Sequence, residues 1–522
     1  MTHCLSNMRV GACRCAWPHL LLVVLLSGCA VGPDFKTPEP PKATSYSPEP
    51  IVIETGERGP SSQVLVAGRD IPAEWWAVFQ SPGLDALIKR AFVANPSVAS
   101  AKAALKQAQE LVYAQQGAFF PTAQLSYTPT RQKLAGNLGG NAPGIQGNGS
   151  IIAAPQNPRG PNYTEPVIYN FHTAQLSIDY VPDVFGGNRR QVESLEAQQE
   201  MQRWQLEATY LTLAGNVVSA AIAEASLREQ IRATQAAVKA NSEALDILRH
   251  QERVGYVMDL DVAAQIAALE QEKATLPPLQ KSFEETRDQL RALVGALPNE
   301  ELPETFELAA LTLPRDLPLS LPARLVEQRP DVKAAEAQFH SATASIGVAK
   351  AARLPQFDIN GAIGGEAATF SRMFAAGGPF WNLAAPMTQT LFDGNMLLHK
   401  QRAAEDAMVE AAAQYRLTVV EACQNVADTL HALSSDAAEL DATSRAEAAA
   451  KTSLDVVTAQ NRVGYANYLL LLNAETTYQT VALNRIQAEA SRLADTAALF
   501  QALGGGWWNR PDGGPDSEAA TD

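Results

Sequence analysis

Long apolar runs are scarce in this chain. After Leu26 none approaches the roughly 20 residues that a membrane-spanning helix needs, so any crossing of a bilayer has to use strands. Cysteine is nearly absent as well. Of the five, Cys4, Cys13, Cys15 and Cys29 lie within the first 29 positions and only Cys423 lies beyond them, which leaves no disulfide framework and no cysteine-rich metal site once a leader is removed. The seven histidines form no HExxH, no serine sits in GxSxG, and there is no P-loop, so the chain presents no catalytic or metal-ligating constellation and no cofactor site, and it reads as a non-enzyme. Basic residues are the minority, 41 against 56 acidic ones, and the formal charge of −15 argues against a nucleic-acid partner. Glycine and proline are missing altogether from residues 395–463.

What stands at the N-terminus is a leader. Arg9 and Arg14 supply a basic segment, residues 20–26 an apolar one, and Ser27-Gly28 two small residues before Cys29. Leu26-Ser27-Gly28-Cys29 resembles a bacterial lipobox, which implies that Cys29 becomes the first mature residue and carries an N-acyl and an S-diacylglycerol lipid. Removal of Arg9 and Arg14 takes the charge from −15 to −17. Alanine rather than aspartate follows the cysteine at Ala30, which favours the outer membrane of a Gram-negative bacterium. From residue 29 to about residue 73 the chain is rich in Pro, Ser, Thr and Glu and reads as an extended tether; Trp75, Trp76 and Phe79 open the folded part. Cys423, inside a helical run, reads as a small buried apolar residue.

Residues 395–463 are dominated by alanine, glutamate, glutamine and leucine and predict one unbroken helix on the order of 100 Å long. It ends in Arg462-Val463-Gly464-Tyr465. The same ending, Arg253-Val254-Gly255-Tyr256, closes a second glycine-poor stretch, and further helical runs follow from Asp259 and from Tyr468. Two long antiparallel hairpins result, with a glycine at the C-terminal cap of each ascending helix. Each glycine is a turn residue, and each can also mark a place where a partner docks.

The duplication is wider than the hairpins. Pro330 lies 234 residues after Pro96, and Pro355 lies 234 residues after Pro121; beyond them the offset falls to 207 between Asn188 and Asn395 and 209 between Gly255 and Gly464. The first copy therefore carries an insertion of about 27 residues, placed in the Gly/Asn/Pro-rich stretch 136–166, which reads as a loop. Short segments of period two separate each proline from each Gly-Asn. Ala123, Leu125 and Tyr127 alternate with Thr122, Gln124, Ser126 and Thr128; Ala174, Leu176, Ile178 and Tyr180 alternate with Thr173, Gln175, Ser177 and Asp179. In the second copy Phe357, Ile359 and Ile363 alternate with Gln356, Asp358 and Asn360, and the stretch 380–390, with Pro386 inside it, is the weakest. One apolar and one polar face suits a transmembrane β-barrel, and it also suits a small soluble sheet. Four strands cannot close a barrel, so several chains would have to share one, two giving eight strands and three giving twelve.

With these features in place, the sequence resembles the TolC-like outer membrane factor family and, within it, the NodT branch of lipoproteins from RND efflux systems. The resemblance rests on residues 321–337 with Arg329-Pro330-Asp331-Val332, on 346–355, on both RVGY turns and on Gly504-Gly505-Gly506-Trp507-Trp508. It implies a mainly α fold with a small β part: long hairpins forming an α-barrel, and four strands per chain in a homotrimeric, twelve-stranded barrel in outer-membrane lipid. The division is 1–28 signal peptide, 29–73 tether, 74–300 first repeat (strands about 120–130 and 170–183, hairpin 187–297), 301–508 second repeat (strands about 354–365 and 380–392, hairpin 394–503) and 509–522 disordered acidic tail. A mixed belt around the middle of the tunnel is expected near 297–321 and the C-terminal end. The resemblance also implies a periplasmic adaptor that joins the duct to an inner-membrane RND transporter and contacts Arg253, Gly255, Tyr256, Arg462, Gly464 and Tyr465. Relatives close their periplasmic end with polar, often acidic residues at positions that fall here on Leu469, Leu470 and Asn473; Asp259 and Asp261 can supply charge that this hairpin lacks. Passive efflux of drugs or small molecules is the leading expectation. Its rivals are an exit duct for type I protein secretion and a structural envelope lipoprotein without a pore, against which the alternating strands argue.

Overall fold

The computed structural model of the chain describes residues 30–49, 63–134 and 167–510. Cys29, the leader, residues 50–62, the whole insertion 136–166 and the chain beyond residue 510 lie outside the described residues. In chain order, β1 (Val64–Ala67) precedes a 3-10 turn at Trp75–Phe79 and α1 (Pro82–Ala94). Ser81 caps α1 by accepting the Leu84 N–H, and proline stands at the first helical position, where a missing N–H costs nothing. Next come α2 (Pro96–Gln116), the antiparallel pair β2 (Thr122–Leu134) and β3 (Val167–Tyr180), and the helices α3 (Gly187–Arg253) and α4 (Asp259–Leu293). β4 (Asp316–Leu319), α5 (Pro322–Gln328) and α6 (Pro330–Ala351) follow, then β5 (Gln356–Phe357), β6 (Ile359–Ala367), β7 (Pro379–Ala384) and β8 (Met387–Thr388). The helices α7 (Met396–Arg462) and α8 (Tyr468–Ala502) close the chain. The duplication is visible in the lengths: α3 and α7 have 67 residues each, α4 and α8 have 35 each, and both pairs start 209 positions apart. α4 stays helical through Pro277 and Pro278, which removes two backbone donors that α8 keeps.

The chain divides into two compact units, one of residues up to 36 with 108–197 and 340–410, the other of residues 37–107, 198–339 and 411 onward. The first unit holds a four-stranded antiparallel sheet in the order β2-β3-β6-β7, in which the central pair β3·β6 joins the two repeats. The expected strand 380–392 is not continuous. It breaks at Pro386, which has no N–H for the ladder and holds the residue before it extended, and β8 pairs instead with β5. The expected strand 354–365 breaks at Asp358, whose N–H turns to the Pro386 carbonyl at 3.1 Å.

The second unit contains the main core. Leu206, Leu213, Val217, Val218, Ala221, Ile222 and Ala225 give α3 one buried stripe, and Tyr415, Ala422, Val426, Leu430 and Leu433 do the same for α7. Trp75 stacks on Phe500 at 5.8 Å between centroids. Two expectations are corrected here. The tether does not run free to residue 73, because β1 pairs in parallel with β4 and Ile71 is fully buried in this core. Four residues are too few to show a period, and the partner strand lies some 250 positions away. Nor does a loose tail begin at 509: Asn509 donates to Asp70 at 2.8 Å, and Arg510 pairs at 2.8 Å with the buried Glu207.

A carboxyl pair links α7 and α8. Burial, then the hydrogen bond and charge of Asp495, then the charge of Glu439 push Asp436 up to about 7, and Arg492 opposes them. Since the folded value exceeds the unfolded one, the folded state favours the protonated acid. Its contribution is complete below the ordinary aspartate range and is lost as pH rises through about 7. Asp436→Asn, which keeps an uncharged partner for Asp495 at every pH, is therefore expected to raise the unfolding temperature above neutral pH and to change it little in acid, as thermal melts across pH will read.

Candidate functional site

The four-stranded sheet has two chemically different faces. Side chains alternate along each strand, so register fixes which residues share a face. Leu125, Leu176, Ile363 and Trp381 stand in one row across the strands, and Ala123, Ile178, Gly361 and Leu383 form the next row on the same side. Ile363 is 62% and Trp381 77% exposed although both are large and apolar. Gln124, Ser177, Ala362 and Asn382 line up on the opposite side; Phe380, in the row of Ser126, Gln175 and Gly364, and Phe171, opposite Thr130, are aromatic exceptions there. The outer edges of β2 and β7 carry no strand partner among the described residues. A sheet with an exposed apolar face and two open edges is incomplete by itself.

One described helix, α3, has a window apolar enough to cross a membrane, with mean hydropathy 1.2. More than half of that window is buried inside the protein, so its apolar content belongs to packing.

Both helix–turn–helix tips have the same backbone. Gly255 donates to Glu252 O at 2.9 Å and Tyr256 to Gln251 O at 2.9 Å; Gly464 donates to Asn461 O at 3.1 Å and Tyr465 to Gln460 O at 2.9 Å. This is the double bond pattern that ends a helix on a left-handed residue, and the glycine φ values of +81° and +80° supply it. A Cβ at either glycine would meet no atom within 4 Å. Glycine is thus required for its backbone, and the space beside it is open. Tyr256 and Tyr465 are among the most exposed aromatic residues of the chain, and Arg253 and Arg462 are exposed beside them. All six residues expected at the tips are brought together as two exposed clusters, one at the end of each ascending helix.

The positions expected to control an entrance lie on the first turns of the returning helices. Asn467 caps α8 by accepting the Leu470 N–H at 2.9 Å, which leaves Leu469, Leu470 and Asn473 exposed on the protomer. Asp259 is exposed, whereas Asp261 is occupied: its carboxylate accepts the Met258 N–H at 3.2 Å while its own N–H bonds Met258 O at 2.9 Å. Both acids suit the positive end of the helix dipole. Sequence reasoning passed over Tyr468. Its ring packs against the cluster of Leu245, Leu248, Val262 and Leu269 on the first hairpin, and also against that of Val457, Ala466 and Leu471 on the second. An aromatic residue at the start of a helix next to a turn was the available signal. Farther along, Gln479 of α8 donates to Glu272 of α4, whose carboxyl burial pushes up.

The chain matches the model of the family described as outer membrane efflux protein over residues 87–296 and 321–505. It is 27% identical over 472 residues to the pyoverdine export outer membrane protein OpmQ of Pseudomonas putida, covering 90% of this chain and 94% of that protein. It is 24% identical to the toluene efflux pump outer membrane protein TtgC of Pseudomonas putida, with 93% and 94% covered, and 23% identical to nodulation protein T of Rhizobium leguminosarum bv. trifolii, with 93% and 96% covered. Among solved structures, the outer-membrane channel OprN superposes with a TM-score of 0.78 at 23% identity over 92% of this chain and all of that one. The Campylobacter jejuni CmeC outer membrane channel superposes at 0.79 with 20% identity, covering 92% of this chain and 95% of that one.

Proposed function

This chain belongs to the outer membrane efflux protein family, and from that premise we propose that three copies assemble into a passive duct that carries small molecules from an inner-membrane pump to the exterior. The observation that carries the reading is the unfinished sheet. Its exposed row of Leu125, Leu176, Ile363 and Trp381 suits hydrocarbon, its polar face suits water, and its open edges suit pairing with further copies. Four strands per copy close as twelve in a trimer, within the range of membrane barrels. The long helices then line the periplasmic part of the passage. A lipid on Cys29 anchors the chain, and the exposed tips at Arg253, Gly255, Tyr256, Arg462, Gly464 and Tyr465 offer a periplasmic adaptor two like surfaces. A duct needs no chemistry of its own, and proton or nucleotide coupling belongs to the inner-membrane partner, a transporter of the RND class. Two of the named relatives are a pyoverdine export protein and a toluene efflux pump protein, which favours small solutes over the secretion of a protein.

Purified protein in a planar bilayer tests this: discrete ion-conducting steps from a particle of three chains support it, and a non-conducting monomer overturns it. At the entrance, Leu469 and Leu470 make an apolar closure where relatives use polar side chains. Leu470 is 47% exposed on the protomer and so is free to face the axis. Leu470→Ser is expected to raise single-channel conductance and to let large antibiotics leak into cells; unchanged conductance and unchanged sensitivity count against a gating role.

A further inference from the structure

The corner where β3 turns into α3 is closed by the first described residues of the chain. Val31 donates its N–H to Phe185 O at 3.0 Å. The nearly buried Arg190 donates to Val31 O at 3.2 Å, to Asp34 Oδ1 at 2.6 Å and to Glu193 Oε2 at 2.7 Å. Phe35 stacks on His340 of α6 at 4.4 Å, and His340 in turn meets Glu193 Oε1 at 3.1 Å. The fit leaves no room for side chains. A Cβ on Gly186 would come within 2.5 Å of Ala30 Cα, one on Gly347 within 2.6 Å of Val31 O, and one on Gly32 within 2.5 Å of Gly347 Cα. Residues 30–35 are therefore seated between the start of α3 and the end of α6, the elements that flank the central strands β3 and β6.

Beside this seat lies a largely apolar cleft of about 350 Å³, within the size range of small-ligand pockets. Phe185, Gly187, Asn188, Val348, Ala351 and Phe357 are among the residues that line it, so the Phe185–Gly187 wall is the one against which Ala30 is pinned. The charge at the rim is occupied, since Asp183 accepts the Asn188 and Arg189 N–H groups at 2.9 Å each. The Asn188 amide is held within the wall. Its Oδ1 accepts from Gln115, but its buried Nδ2 has no partner among the described residues. The duplicated corner in the second repeat has no such cover: a Cβ on Gly394 would meet nothing within 4 Å, and Leu391 is 93% exposed. The sequence pattern is shared by both corners, whereas the seated segment and its cleft belong to the first alone.

We infer that this cleft seats an acyl chain of the lipid on Cys29. The occupant follows from the covalent chain, since Cys29 directly precedes Ala30. Ala30 is fixed against the cleft wall, and the residue before it is one peptide, about 3.8 Å, away. The inference rests on the acylation of Cys29 proposed above, and the experiment separates the two. Full-length protein is made in a Gram-negative host fed an alkyne fatty acid, with a benzophenone amino acid placed at Val348 in the cleft or, as reference, at Val93, which is exposed on α1. On irradiation, the tryptic peptide containing position 348 is expected to become joined to the labelled acyl group of its own chain, and the peptide containing position 93 is not. Gly32→Val, which drives residue 32 into Gly347, is expected to abolish that cross-link while label incorporation stays unchanged. A cross-link to free phospholipid, to a second copy of the chain, or to nothing while Cys29 carries label overturns the seat but leaves acylation standing. Absence of label that Cys29→Ala does not reduce further overturns both.

Discussion

Arginine in place of Ile363 is expected to abolish recovery of the protein from the outer membrane in assembled form. Ile363 stands in the middle of the apolar row, on the central strand β6, between Leu176 and Trp381. A lipid-facing arginine near the bilayer midplane costs about 2–4 kcal/mol, and an assembly of three chains meets that cost three times. The control is the other face. Asn382→Arg, one residue along β7 from Trp381 and pointing to the polar side, is expected to leave assembly intact. Membrane fractionation with electrophoresis of the unheated protein reads both. Equal tolerance of the two substitutions removes the distinction between faces on which the proposed duct depends.

Glu224→Ala is expected to cost about 3–5 kcal/mol of stability in the helical unit. The side chain is fully buried on α3, where its carboxylate accepts from Arg228, from Arg287 Nη1 at 3.3 Å and, through Oε2, from the Phe306 N–H at 3.1 Å. Arg287 also donates to Leu302 O at 2.7 Å, so one acid ties α3 and α4 to the segment that joins the repeats. Its removal leaves an arginine and a backbone N–H desolvated without their partner, which is costlier than never having built the pair. Glu224→Gln keeps an acceptor for Phe306 and is expected to lose less. Thermal unfolding followed by circular dichroism orders the three proteins; an alanine variant as stable as the parent contradicts this account of the belt.

The two strand breaks show where periodicity stops being informative. Alternation in 356–363 and 380–390 is real, yet Pro386 withholds an N–H and Asp358 spends its own on the Pro386 carbonyl, so the ladder shifts from one sheet to another within two residues. The tips show the opposite case. Arg-Val-Gly-Tyr was legible twice because a helix ending on a left-handed residue is a local event that needs one glycine and two backbone bonds. The roles of Asp261 and Asn467 were less legible, because the same residue types serve as caps or as free surface charge depending on one hydrogen bond.

Helix length, the doubled architecture, the two turns and the amphipathic ribbons were all determined by the sequence alone, because each depends on residues within a few turns or within one period of each other. Only the tertiary structure decided that β3 pairs with β6 across the repeats, that β1 lies along β4, that Tyr468 touches both hairpins, and that residues 30–35 close one of two matching corners. Apart from the contacts of Tyr468 within its own hairpin, these join positions from about 150 to over 300 apart, and no local pattern encodes which distant surface a short segment will find.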